Sequence, residues 1–151
     1  MRALVQRVTE AAVSVVEGDD EAPVETGRIG PGLVAFVGVT HSDGSAEAAK
    51  LARKLAGLRI FADAGGAMNR SCAEVRGEML LVSQFTLYGD ARKGRRPSFV
   101  DAAAPAQAEP LVQEVIAGLR ELGVPVATGR FRTEMRVALV NDGPVTLLVE
   151  V

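Results

Sequence analysis

The sequence predicts an α+β domain spanning residues 1–151: a mixed, largely antiparallel β-sheet with two main helices. Three observations carry this expectation. Strand-like runs outnumber helical ones by about seven to two. They come in consecutive groups rather than in strict strand–helix–strand alternation. And 48% hydrophobic with 24% charged residues in a chain of 151 is globular composition, with enough apolar mass for a core.

Residues 1–8 and 11–17 alternate and are rich in Val and Leu, so both read as strands. "EGDDEAP" reads as an acidic turn and "ETGRIGPG" as a tight connection with three glycines. The apolar run "LVAFVGV" (33–39) reads as a buried strand. Ser45 is a good N-cap for a helix over 45–58, where Ala48, Leu51, Leu55 and Leu58 share one face. "LRIFADAGG" reads as a short strand and a turn, and 78–88 as a strong strand. A basic loop (90–100) leads to a second helix at 106–122, ended by Gly123 and Pro125. Pro110 sits poorly inside that helix, so its regular part is expected to start near Glu109. Strands follow at 124–128, 134–141 and 145–151.

Composition narrows the chemistry. Cys72 is the only cysteine, so no intrachain disulfide can form. Cys72 and His41 are the only soft ligands, so a zinc site is not expected, and nothing in the sequence demands a cofactor. No apolar run is long enough for a membrane helix, and "MRALVQRV" lacks a signal-peptide core; a cytoplasmic protein fits these facts. A Ser-His-Asp or Cys-His arrangement needs a histidine beside its nucleophile. His41 lies in "THSDG", a turn before a helix, and Cys72 reads as a small packing residue. "GRIGPG" lacks the following GK[ST] of a phosphate loop and reads as a plain turn.

Three stretches stand out. Arg92, Lys93, Arg95 and Arg96 concentrate charge in a chain whose formal net charge is −2. This is either a solvated loop or a contact for a phosphate backbone. In "SQFTLYGD", Ser83, Gln84 and Thr86 interrupt an apolar strand, either as buried residues with partners or as a strand end facing a cleft. An amide and a main-chain N–H could hold an oxyanion there. In "NDGPVT", Gly143-Pro144 gives up a backbone donor between two strand-like runs. It is either a hairpin turn or a unit that aims bare carbonyls at a ligand.

Together these stretches resemble the D-aminoacyl-tRNA deacylase family. "SQFTLYGD" contains that family's S-Q-x-T motif and "NDGPVT" its N-x-G-P-x-T motif. The resemblance runs in order through "MRALVQRVT", "LRIF", "MN", "RRPSF", "TGRF" and "VTLLVEV". One departure is Arg132-Thr133-Glu134 before Met135, where the family commonly carries small residues.

The resemblance implies a homodimeric enzyme that hydrolyses the ester between a D-amino acid and the 3′ end of tRNA. It implies a site at the dimer interface. Ser83, Gln84, Phe85 and Thr86 would line the reaction side, and Gly143 and Pro144, with Asn141 and Thr146 of the same motif, would enter from the other subunit. Arg7 would brace the Gly-Pro loop through its backbone, Phe131 and Met135 would pack the terminal adenosine, and residues 92–96 would meet tRNA phosphates. An activated ester needs no strong nucleophile, so water is the expected attacker, with Thr86 as the alternative. Carbonyls that pin the α-ammonium would reject L side chains and let D-amino acids and glycine pass. A non-catalytic RNA-binding module and a relative with a loosened chirality filter stand as rival readings.

Overall fold

A computed structural model describes residues 1–18 and 22–151; the centre of the expected acidic turn lies outside the described residues. In chain order the elements are β1 (Arg2–Val16), β2 (Val24–Ile29), β3 (Gly32–Gly38), α1 (Ser45–Ala56), β4 (Phe61–Ala62), β5 (Met68–Arg70), β6 (Glu78–Ser83), α2 (Pro105–Glu121), β7 (Val126–Thr128) and β8 (Glu134–Glu150). A 3₁₀ turn, Phe85–Tyr88, follows β6 directly. The predicted α+β class holds.

β1 is one strand where the sequence suggests two. Ala3, Val5 and Val8 are buried, Thr9 and Glu10 are exposed, and Ala11, Val13 and Val15 are buried again. The pairing register shifts at the same place, between Val8 and Glu10. A bulge inserts a residue without ending a strand, so the alternation breaks while the backbone continues.

β2 and β3 lie end to end along one flank of β1: Val8 faces Gly32 and Ala11 faces Ile29 in one register. The expected tight connection at "ETGRIGPG" therefore shrinks to the joint Gly30-Pro31. Most of β2 is exposed, so hydrogen bonding to β1 holds it and no hydrophobic pattern announces it. β8 runs along the other flank, from Arg2 opposite Glu150 to Val16 opposite Glu134. β6 joins β3 in parallel and β7 joins β6 in parallel, while β1 is antiparallel to β2, β3 and β8. β4 and β5 form a separate small hairpin.

α1 and α2 cover one face of the sheet. The core beneath them includes Val5, Leu33, Leu51, Leu55, Leu81 and Leu119. Fully burying a side chain of this size contributes about 2 kcal/mol. Val8, Val13, Val34, Leu80 and Val82 form a second cluster on the other face. Cys72 belongs to the first core. Burial, with Glu78 nearby, pushes its thiol up to about 11.

Helix ends differ from expectation. Gly44 is the N-cap of α1, its N–H donating to Glu47 Oε2 at 3.0 Å. Ser45 is the first helical residue, and its hydroxyl instead donates to Glu114 on α2 at 3.1 Å. α2 starts at Pro105, which suits a first helical position, and continues through Pro110 on an exposed side.

Gly32 sits where β3 and β6 approach most closely: a Cβ there would lie 1.9 Å from the Glu78 carbonyl oxygen. Gly32→Ala must therefore push the two strands apart. We expect it to cost about 2–3 kcal/mol in chemical denaturation; an unchanged midpoint would show that β3 and β6 separate freely.

Candidate active site

The S-Q-x-T stretch is built by a change of backbone. β6 ends at Ser83, paired with Val37, and Gln84 N–H donates to the Val37 carbonyl at 2.7 Å. The chain then turns into Phe85–Tyr88. The expectation of a strand to residue 88 is corrected here. A run of apolar residues cannot by itself separate a strand from a short helical turn. Phe85 and Thr86 open the turn, so their N–H groups take no bond within it. Arg2 holds its far end: Nη1 donates to Leu87 O at 3.2 Å, Nε to Glu150 at 2.5 Å, and the guanidinium lies 4.6 Å from the Tyr88 ring centre.

A cavity of about 680 Å³ opens beside this turn. Ser83, Gln84, Phe85, Phe131 and Met135 all line it, with Phe99 and an apolar wall from the start of α2. Thr86 is not among its lining residues; the hydrogen bond recorded for its hydroxyl is to the Gln84 side-chain amide, which is no base in either orientation. Of the departure from the family's pattern, Arg132 and Thr133 also line the cavity, while Glu134 does not. Arg132 takes a left-handed conformation (φ 59°), and the Thr133 hydroxyl donates to Arg130 O at 2.9 Å. The departure thus adds a cation to an otherwise largely apolar rim.

Gly143 and Pro144 lie elsewhere. β8 passes straight through "NDGPVT" without reversing, so the hairpin alternative is excluded. Gln6 faces Thr146 and Val8 faces Asn141, which leaves 142–145 bulged opposite Arg7. The Gly143–Pro144 peptide bond is cis. The Asn141 side-chain amide ties the bulge across to β1 and to its own far end, donating to Arg7 O at 2.9 Å and Val145 O at 3.1 Å. Gln6 Nε2 donates to the Thr146 hydroxyl at 3.1 Å.

Arg7 braces this bulge differently from expectation. Its Nη1 donates to Ile60 O at 2.5 Å. Its Nε lies 2.8 Å from Asp142 Oδ2, a charge contact without an aligned hydrogen bond. The guanidinium thus meets the bulge through the Asp142 carboxylate, while the Arg7 carbonyl receives Asn141. Asp142 was missed in the sequence, although it stands inside the motif.

In the basic loop Arg92 is not a free cation. Its Nε and Nη2 donate to the two carboxylate oxygens of Asp90, at 2.9 and 2.8 Å, and its backbone N–H adds a third bond. These contacts hold the Asp90 carboxyl down to about 2. Lys93, Arg95 and Arg96 are exposed. His41 is exposed, with Nε2 2.7 Å from Val100 O.

One chain therefore brings together two groups: Ser83, Gln84, Phe85, Phe131 and Met135 around the cavity, and Arg7, Asn141, Gly143, Pro144 and Thr146 at the bulge. Bulge residues 141–144 are exposed and line no part of the cavity. The family model described as D-Tyr-tRNA(Tyr) deacylase matches residues 4–150. The chain belongs to that family. Its members are hydrolases, and this chain is an enzyme of that class. A D-aminoacyl-tRNA deacylase of Heliobacterium modesticaldum is 57% identical over 150 residues, covering 99% of this chain and 96% of the relative. One from Roseiflexus sp. is also 57% identical, covering 99% and 93%. Among solved structures, a c-Myc DNA unwinding element binding protein superposes with a TM-score of 0.88 at 34% identity, covering 100% of this chain and 99% of that one.

The Asp90–Arg92 contact has a testable pH signature. A carboxyl whose folded pKa lies below its unfolded value contributes stability above the unfolded value and loses it as pH falls through the folded one. We expect the Asp90 carboxyl carbon to titrate near pH 2 by NMR, and Arg92→Ala to raise it part of the way toward about 4, because the backbone N–H at position 92 still donates to Asp90. A midpoint near 4 in the unaltered protein would show that the pair does not form.

Proposed function

We propose that this chain is a D-aminoacyl-tRNA deacylase that hydrolyses the ester between a D-amino acid and the terminal ribose of tRNA. The observation that carries the reading is complementarity between two backbone devices. The turn after β6 offers N–H donors beside a cavity, and the bulge in β8 offers an exposed Gly-Pro unit in which Pro144 has no N–H, so that its main chain can only accept. An aminoacyl ester has a carbonyl oxygen that gains negative charge on attack and an α-ammonium that only donates.

In this mechanism Phe131 and Met135 pack the terminal adenosine and set the ester against the turn. Water attacks the ester carbon. The Phe85 N–H, helped by Gln84, receives the developing oxyanion, the C–O bond to the ribose breaks, and the 2′-hydroxyl manages the proton. Thr86 supports Gln84 through their hydrogen bond rather than attacking. The carbonyls of Gly143 and Pro144 hold the ammonium, so that an L side chain would meet the backbone and a D side chain would point outward. Glycyl-tRNA passes the same filter. Lys93, Arg95 and Arg96 meet tRNA phosphates, with Arg92 shaping the loop. The enzyme works without a cofactor, in the cytoplasm, with residues 1–151 forming a single deacylase domain.

The bulge reaches the cavity from a second copy of the chain. Support comes from β8 itself: among the described residues it pairs only with β1, and Val140, Leu147 and Leu148 are exposed on it. A long, unpaired and partly apolar edge is a surface that a partner covers.

Three kinds of measurement test this. In a single-turnover assay D-Tyr-tRNA loses its amino acid while L-Tyr-tRNA survives, and Thr86→Ala stays measurably active; if neither ester is cleaved faster than in buffer, the protein is an RNA-binding module. Refolding Gln84→Ala together with Gly143→Val protomers restores about a quarter of the wild-type sites, because one site of each mixed dimer carries neither lesion; no recovery would place both motifs in one protomer's site. Neutralising Lys93, Arg95 and Arg96 together lowers the salt slope of tRNA binding by roughly two to three. Arg92→Gln alone lowers it by less than any one of the three; an equal effect would mean that its pair with Asp90 opens on binding.

A further inference from the structure

Phe99 follows the basic loop, and its surroundings are unusually well fixed for an exposed aromatic. Before it, Asp90 and Ser98 exchange two backbone hydrogen bonds of 2.8 and 2.9 Å, closing the loop at its base. After it, the Thr40 hydroxyl donates to Asp101 O at 2.6 Å, and His41 Nε2 lies 2.7 Å from Val100 O. Beneath it is Gly89, where a Cβ would stand 2.8 Å from Phe99 Cε1. Only a residue without a side chain lets the ring sit that close to the turn that carries Phe85.

The Phe85 and Phe99 rings meet edge to face, with centroids 5.2 Å apart and planes at 70°. Phe85 is 58% exposed and Phe99 38%. Both rings line the cavity, and the exposed cations Lys93, Arg95 and Arg96 begin a few residues away. Core aromatics are normally covered. These two are held in place yet half open, between an apolar cavity and a positive loop.

We infer that Phe99, seated against Phe85, is a stacking platform for the base that precedes the terminal adenosine of the bound RNA. The inference rests on the deacylase reading, in which the terminal nucleoside fills the cavity. The next nucleotide must leave through the rim, and its phosphates then run toward the basic loop. Single-stranded RNA is gripped by this combination of an aromatic face with a cationic track. A platform fixed from both sides loses little freedom on binding. Stacking reads any base, so it adds grip on the strand without adding sequence preference.

The test compares RNA hairpins with an unpaired 3′ strand that carry either a base or an abasic sugar at the penultimate position. Binding is followed by fluorescence anisotropy, so the readout does not depend on ester hydrolysis. The wild-type protein should prefer the base-containing strand by roughly ten-fold. Phe99→Ala should bring that ratio close to one, and Phe99→Trp should keep it. Equal wild-type affinity for both strands overturns the proposal. So does a Phe99→Ala variant that weakens both strands alike, which would make the ring only a cavity wall. A variant that keeps the preference but weakens self-association would assign the ring pair to the contact between copies and overturn it too. Failure of the wild-type protein to cleave D-Tyr-tRNA would sink the deacylase reading instead, while the base preference would still report on the platform.

Discussion

The pairing of β1 with β8 governs this molecule. The two longest strands run antiparallel along nearly their full lengths, and a functional motif sits where the pairing is interrupted. A bulge inside a long ladder is held by bonds on both sides, so its backbone is fixed without being used up in pairing. Asn141 strengthens this by joining the far end of the bulge to the facing strand with one amide. The second motif follows the same logic at the end of β6, where a strand gives way to a turn whose opening N–H groups remain uncommitted. The two motifs therefore each set main chain free at a defined point, in a chain poor in imidazole and thiol.

Charge in this protein mainly sets backbone shape. Arg2, Arg7 and Arg92 each spend their guanidinium on a carbonyl or a carboxylate next to a functional segment: Arg2 on Leu87 and Glu150, Arg7 on Ile60 and Asp142, Arg92 on Asp90. The exposed pairs of Arg2 and Arg92 contribute little to global stability, whereas the Arg7 guanidinium is mostly buried. Their value lies in restricting where a turn, a bulge or a loop can go. Arg132 belongs to a different group, since it stands at the cavity rim with φ positive.

Much of this was legible in the sequence, and the gaps have physical causes. The helices were read within a few residues because their apolar stripes repeat at helical spacing; the N-cap was displaced because a neighbouring glutamate bonds the Gly44 N–H. β2 was lost because its residues face mostly water and follow no hydrophobic rhythm. β1 and β8 were each read as two strands, since a bulge and a turn leave the same break in alternation. Both motifs were found, but the Phe85 turn was taken for strand. Asp142 and Phe99 went unassigned because their roles come from partners distant in sequence or from a supporting glycine that shows no side chain.

Cys72 is the only thiol, enclosed in the core and with its ionisation pushed far above neutrality. Thiolate is the form that alkylating reagents attack, so the native side chain is nearly silent toward them. A cysteine introduced on the exposed edge of β8 would carry a spin label or fluorophore alone. The separation between two such probes could then be measured on the otherwise unaltered protein, with no need to remove a core residue first.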